Sequence, residues 1–114
     1  MAVRVSADLF GCPITATAQW LDAGLDVSLF GGERTHVGAV TLAGPEGEEQ
    51  TMERPGHREA ALSRPWALAL ANALEMPVCV RCGIHYDNAT REQIGQILTL
   101  CDQLLARLLA QLRD

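Results

Sequence analysis

Three histidines, His36, His57 and His85, are the residues of this chain whose type and setting best suit chemistry. Each lies in a polar stretch that contains glycine, and none lies in the middle of an apolar helical stripe. If the fold brings them together, three neutral imidazoles and a water molecule make an open site for zinc or another divalent metal. Histidines that bond to neighbouring backbone are the more common alternative. We therefore expect no bound metal and keep the histidine set as the alternative.

A second candidate site is the pair Cys79 and Cys82, which has the Cys-x-x-Cys spacing of redox and zinc sites. In a strand, residues three apart point to opposite faces. The chain has no second pair of this kind. We therefore expect both cysteines to pack as small apolar groups in the core.

The pair Gly31-Gly32 precedes Arg34 and suggests an anion site. Glycines let a backbone loop approach a phosphate, and the guanidinium supplies the charge. A simple turn is the alternative for such a pair. A second anion site is predicted at the start of the last helix, near Asp87 and Asn88, where N–H groups are exposed. Capping of that helix is the alternative role of these two residues.

Tyr86 lies between His85 and Asp87 and is the aromatic residue placed to stack on a planar ligand.

Composition excludes several classes of function. The chain has 114 residues, 48% of them hydrophobic and 20% charged, which predicts one domain over residues 1–114. All nine basic residues are arginines, so Schiff-base chemistry, covalent pyridoxal phosphate and a P-loop are excluded. The net charge of −5 argues against nucleic acid as a partner. No run suits a membrane span or a secretory signal, so we expect a cytoplasmic protein with reduced cysteines.

Alternating polar and apolar residues predict the strands that position these groups. Strands are predicted at 14–20 and 25–29, joined by a turn, and a third at 36–43, in an antiparallel meander. A short strand at 50–54 is predicted within the loop 44–56, which is rich in glycine, proline and glutamate.

Two helices complete the predicted fold. The first covers 58–76, with Pro65 near its first turn or kinking it, and a strand follows at 77–82. Thr90 begins the last helix because Thr90 and Gln93 have capping-box spacing. The apolar stripe of this long amphipathic helix predicts that part of it packs on a second subunit, and coverage by the sheet is the alternative. The predicted class is α+β, with a mostly antiparallel sheet.

The runs at 25–40, 56–59 and 83–90 resemble, in this order, the LpdD-like prenylated-flavin chaperone family. The residues that carry the resemblance are Gly31, Gly32, Arg34, His36, Gly38, Gly56, His57, Gly83, His85, Asp87 and Asn88. The resemblance implies a dimeric binding protein without catalysis, with a fold similar to proteasome-assembly chaperone subunits. It also implies that the chain binds reduced prenylated FMN and delivers it to an apo UbiD-like decarboxylase. The flavin prenyltransferase is a further candidate partner.

Under this resemblance, Arg34, the glycine backbone and the last helix's N-terminus hold the phosphate. The three histidines meet the polar edge of the reduced flavin, and Tyr86 stacks on it. The predicted cofactor-binding residues are Gly31, Gly32, Arg34, His36, His57, His85, Tyr86, Asp87 and Asn88. Two alternatives stay open: a metal-dependent enzyme built on His36, His57 and His85, and a structural accessory subunit of a decarboxylase complex that binds no small ligand.

Overall fold

The computed structural model describes all 114 residues and confirms the predicted α+β class with a mostly antiparallel sheet. Six strands form one sheet, and two helices complete the fold. The elements in chain order are β1 (Ala2–Leu9), β2 (Cys12–Leu21), β3 (Gly24–Gly32), β4 (Ala39–Ala43), β5 (Glu49–Glu53), α1 (Ala60–Leu74), β6 (Val78–His85) and α2 (Arg91–Leu112). Neither helix is long and apolar enough to cross a membrane. Strand β1 is an addition to the predicted elements.

The strand order is β1-β2-β3-β6-β4-β5, so the sheet is not a simple meander. Strands β1, β2 and β3 are antiparallel neighbours, and β6 lies between β3 and β4. The pairing of β6 with β3 is parallel, which requires a long crossover, and α1 lies on that connection. The third predicted strand therefore does not adjoin β3. It begins at Ala39, and residues 36–38 before it lie alongside the last residues of β6, where the Gly38 N–H donates to the Cys82 carbonyl at 2.9 Å.

One face of the sheet is buried under both helices. Alternate residues of β2 and β3 face each other across the ladder, as in the pairs Ala16 with Leu29 and Ala18 with Val27. Helix α1 packs on β4 and β6, and α2 packs on β1 and β2. Trp66 of α1 and Leu104 of α2 are fully buried against this face. The helices therefore define a single core on one side of the sheet.

Helix α2 begins as its capping box predicts. The Thr90 hydroxyl accepts the Gln93 N–H at 3.1 Å, and the Gln93 side chain accepts the Thr90 N–H at 2.9 Å. Most of the apolar stripe is buried in the single chain, and Ile94 and Leu98 remain 48% and 41% exposed. The predicted homodimer stays a prediction. In α1, Pro65 lies in the second turn rather than the first.

Candidate functional site

The three histidines line one pocket at the carboxyl ends of the inner strands β3 and β6, where the loop after β3 meets the segment before α1. We call it the histidine pocket, and its volume is about 400 Å³. Its lining residues are Arg34, His36, Gly56, His57, Arg58, Glu59 and His85. The pocket contains no apolar side chain. Four of the nine predicted binding residues, Arg34 and the three histidines, are thus brought together.

Glu59 anchors the pocket although it was not among the predicted binding residues. It immediately precedes α1, and its side chain makes no capping bond to the helix. Instead its Oε2 atom lies 2.8 Å from Nε2 of His36, and its side chain is only 10% exposed. Its other oxygen, Oε1, is buried without a hydrogen-bond partner. A buried carboxylate with one unpartnered oxygen is energetically costly and suggests a function.

Two glycines allow the loop after β3 to lie close to Glu59 and to β6. A Cβ atom on Gly38 would overlap the Glu59 carboxylate, and a Cβ atom on Gly83 of β6 would overlap the backbone carbonyl of His36. At Gly83 the overlap is with backbone and only glycine fits, whereas at Gly38 a side chain would have to displace the Glu59 carboxylate. The glycines near the predicted site therefore hold the histidine loop against β6 and Glu59.

His57 completes a close group with His36 and Glu59. The imidazole centroids of His36 and His57 are 5.0 Å apart and tilted by 49°. One potential ligand atom from each of the three residues lies within 4.8 Å of the other two. The close group therefore contains two of the three predicted histidines, with Glu59 in place of His85.

His85 lies in the histidine pocket but bonds elsewhere. Its Nε2 atom donates to Asp87 Oδ1 at 2.8 Å, and the Asp87 N–H donates to Glu33 at 3.2 Å. The hydrogen bond from His85 lowers the pKa of Asp87 below its ordinary value. Asp87 and Asn88 are both exposed, and Asn88 has a left-handed backbone with φ of 54°. Neither residue caps α2, because Thr90 does so.

Tyr86 is buried in the core and is not part of the histidine pocket. Its hydroxyl donates to the Cys12 carbonyl at 3.2 Å, and Phe10 packs edge-on against its ring at 5.5 Å. The residue is only 7% exposed. Burial raises the pKa of Tyr86 to about 12. The structure therefore offers no open face of this ring on which a planar ligand could stack.

Gly31 and Gly32 pack closely against other residues of the protein and do not face an open cavity. A Cβ atom on Gly31 would press on Ile14 of β2, and one on Gly32 would overlap the His85 carbonyl. The same carbonyl accepts the Glu33 N–H at 2.8 Å. The glycine pair thus shapes the end of β3, and it does not line the histidine pocket.

The four cysteines are free thiols. Cys82 and Cys101 are fully buried, and burial raises the pKa of both, that of Cys101 to about 12. Cys79 is partly exposed, and burial together with the Asp26 charge raises its pKa. The core role predicted for both cysteines is confirmed for Cys82 and wrong for Cys79, which lies on the opposite face of β6 and is partly exposed. Neither residue of the Cys-x-x-Cys pair lines the histidine pocket.

An apolar groove of about 300 Å³ borders the histidine pocket, and Arg58 and Glu59 line both. Its apolar lining residues are Ala61, Leu62, Ile84, Ile94, Ile97 and Leu98. Sequence periodicity places most of these residues in helices but gives no sign that they face a cavity. The two cavities therefore combine a polar half with a hydrocarbon half.

Comparison with known proteins agrees with this fold. The chain is similar to a chain in the crystal structure of a chaperone complex for yeast 20S proteasome assembly, with a TM-score of 0.54 and 12% identity. The match covers 95% of this chain and 98% of the other, and it shows the fold alone. A comparison with curated proteins finds no match. The model of the prenylated flavin chaperone LpdD-like domain matches residues 9–113. Because that match spans nearly the whole chain, the protein belongs to the LpdD-like prenylated flavin chaperone family.

Proposed function

We propose that the chain binds reduced prenylated FMN and delivers it to a UbiD-like decarboxylase, without catalysing a reaction itself. Family membership supports a role with prenylated flavin. The observation that carries the proposal is the shared wall of Arg58 and Glu59 between the histidine pocket and the apolar groove. Prenylated FMN is itself a polar flavin phosphate that bears a hydrocarbon group. A polar cavity that adjoins an apolar one matches both parts of such a ligand.

The polar half of the ligand is assigned to the histidine pocket. Arg34 and Arg58 are its two cations, and guanidinium groups bind phosphate through paired, charge-assisted hydrogen bonds. The imidazoles of His57 and His85 can donate or accept hydrogen bonds at the polar edge of a reduced flavin. We no longer assign a stacking role to Tyr86, because its ring is buried.

The hydrocarbon half is assigned to the apolar groove. Ile94 and Leu98 are large apolar residues left exposed at its rim, so a bound hydrocarbon would remove them from water. This contact distinguishes prenylated FMN from FMN, since the two differ only in the added hydrocarbon. The site is open to the surface, which suits a protein that must release its cargo.

Delivery requires a protein partner, and we propose that this partner is a UbiD-like decarboxylase, with the flavin prenyltransferase as the source of the cofactor. We place the exchange in the cytoplasm, where free cysteines such as these stay reduced. We also retain the homodimer as part of the proposal, and sedimentation of the purified protein will test it.

An anaerobic titration tests the proposal directly. Purified protein is titrated with reduced prenylated FMN, with reduced FMN and oxidised prenylated FMN as comparison ligands. We expect selective binding of the reduced prenylated form, followed by activation of an apo-decarboxylase when the loaded protein is added. Failure of the protein to bind any flavin would overturn the proposal.

Two variants test which part of the ligand binds in the histidine pocket and which part binds in the apolar groove. Arg34→Gln is expected to weaken binding of both reduced flavins by about tenfold, the loss of one charge-assisted contact. Leu98→Ser is expected to weaken binding of reduced prenylated FMN and to leave the affinity for reduced FMN unchanged. Arg113→Gln, at the exposed C-terminus, is the matched control for loss of one guanidinium. An unchanged affinity in Arg34→Gln would remove the phosphate role.

A further inference from the structure

We propose that His36, His57 and Glu59 form a binding site for one divalent transition-metal ion. The proposal goes beyond flavin delivery and does not rest on it, and in the metal-bound protein His57 would contact the ion instead of the flavin edge. Its first support is geometric, because one ligand atom from each residue lies within 4.8 Å of the other two. Around a metal, ligand atoms about 2 Å from the ion lie roughly 3 to 4 Å from each other. His36 Nε2 and Glu59 Oε2 are already 2.8 Å apart, so these two atoms would separate slightly, while any pair near the 4.8 Å limit would move closer for the three groups to share an ion.

The hydrogen bond of His57 leaves one ring nitrogen free to bind a metal. Its Nδ1 atom lies 3.0 Å from the Pro55 carbonyl, which can only accept, so Nδ1 carries the hydrogen. The lone pair is then on Nε2. Histidines that bind metals are oriented in this way, with one nitrogen donating to a backbone carbonyl and the other on the ion.

His36 has an acceptor at each nitrogen. Nδ1 lies 3.3 Å from the Arg34 carbonyl, and Nε2 lies 2.8 Å from Glu59 Oε2. A neutral imidazole has a single N–H and cannot donate to both. Either a second proton, as in an imidazolium paired with Glu59, or a metal ion at Nε2 satisfies both nitrogens. With a metal ion, Nδ1–H bonds to the Arg34 carbonyl, and Nε2 and Oε2 move apart from 2.8 Å to bind the ion side by side.

Glu59 supplies an independent observation. Its side chain is only 10% exposed, and its Oε1 atom is buried without any hydrogen-bond partner. Partial burial of an under-bonded carboxylate is costly, and a cation held by the same group offsets that cost. Gly38 leaves room for the carboxylate, which a side chain at that position would displace.

The ligand set indicates the class of metal. Two imidazoles and one carboxylate suit Zn²⁺, Co²⁺, Fe²⁺ or Mn²⁺, whereas Ca²⁺ and Mg²⁺ prefer oxygen ligands alone. Three protein ligands leave at least one position for water or for an anionic oxygen. Arg34 and Arg58 line the same pocket and would favour an anion there.

The test uses flavin-free full-length protein treated with a chelator. It is titrated with Co²⁺, followed by visible absorption, and with Zn²⁺, followed by calorimetry. We expect one ion per chain. His57→Ala and Glu59→Gln are expected to lose at least about tenfold in affinity, in line with the loss of a ligand. Glu92→Gln, on the exposed first turn of α2, is the matched control and is expected to bind as the parent does.

Three outcomes would overturn the proposal. They are the absence of saturable metal binding by the parent protein, metal binding by His57→Ala that equals that of the parent, and a loss of metal affinity in His85→Ala as large as in His57→Ala. The last outcome would indicate a different ligand set that includes His85. Because Glu59 is buried and its replacement can unfold the chain, the partly exposed His57 keeps the test decisive. No flavin is present, so the result is independent of the proposed delivery role.

Discussion

The Nε2 atom of His36 lies 2.8 Å from the Oε2 atom of Glu59, and this contact joins the loop after β3 to the start of α1. The two residues come from different segments of the chain, and both are largely shielded from water. A short hydrogen bond in such surroundings is stronger than one at the surface. The shape of the histidine pocket therefore depends on a tertiary contact and not on a local motif.

Two alanine substitutions should change stability in opposite directions. Gly83→Ala places a Cβ atom onto the His36 carbonyl and should lower the free energy of unfolding by about 1–3 kcal/mol. In Gly95→Ala the new Cβ atom meets no other atom within 4 Å. This substitution in α2 should therefore raise the free energy of unfolding by about 0.5–1 kcal/mol through helix propensity. Urea unfolding measures both. Parent-like stability in Gly83→Ala would mean that the loop moves away without cost.

A buried chain of hydroxyl groups should stabilise the junction of β4 and α1. Thr41 and Ser63 are fully buried, and their hydroxyl oxygens are 2.8 Å apart. The hydroxyl oxygen of Thr51 in β5 also lies 2.8 Å from that of Thr41. Ser63→Ala and Thr41→Val should each cost about 1–2 kcal/mol of unfolding free energy. The double variant should cost less than the sum, because both remove the same bond. Additive losses in thermal or urea unfolding would contradict this coupling.

The single tyrosine should resist ionisation until the protein unfolds. Burial raises the pKa of Tyr86 to about 12, so the neutral phenol is favoured in the folded chain. Its contribution to stability is therefore complete below the unfolded pKa of about 10 and is lost as the pH rises toward 12. Tyrosinate absorbance followed against pH measures this directly. Ionisation near pH 10 in folded protein would contradict it.

The matched variant is Tyr86→Phe. It keeps the ring against Phe10 and loses only the bond to the Cys12 carbonyl, so it should cost about 1 kcal/mol. It should also show no tyrosinate signal at any pH, because the chain has one tyrosine.

The thiols should react with a disulfide reagent in two classes. Cys82 and Cys101 are fully buried with raised pKa values, so they should react only after unfolding. Cys12 and Cys79 are partly exposed and should react in the folded protein. Cys79→Ser should remove one of these two reactive thiols. Rapid reaction of all four in native buffer would show that the core opens readily.

Local signals explain how much of the fold could be predicted. The alternation in β2 and the Thr90–Gln93 capping box depend on neighbouring residues, and both predictions are confirmed. Strand β1 shows the same alternation, with Val3 and Val5 on the inner face, and could have been found by that rule. The insertion of β6 between β3 and β4 has no local signal, because it depends on the path of the crossover.

The same reasoning applies to the site. The histidines could be identified by residue type and by their glycine-rich surroundings, and the structure places all three in one pocket. Glu59 follows His57 by two residues, yet its burial depends on Gly38 and the His36 loop from a distant segment. Burial of Tyr86 likewise depends on Phe10 and Cys12 at the start of the chain. Such contacts cannot be read from a residue's immediate neighbours.

The parallel pairing of β3 with β6 also determines when the histidine pocket forms during folding. It joins Val27 to Val80, residues separated by nearly half the chain, whereas the hairpins β2–β3 and β4–β5 close over short loops. Pairings of long sequence separation form slowly because a large loop must close first. A nascent chain can thus build both hairpins early, but His85 reaches His36 only after β6 enters between them. The complete histidine pocket should therefore form only after β6 has been synthesised and has paired with β3.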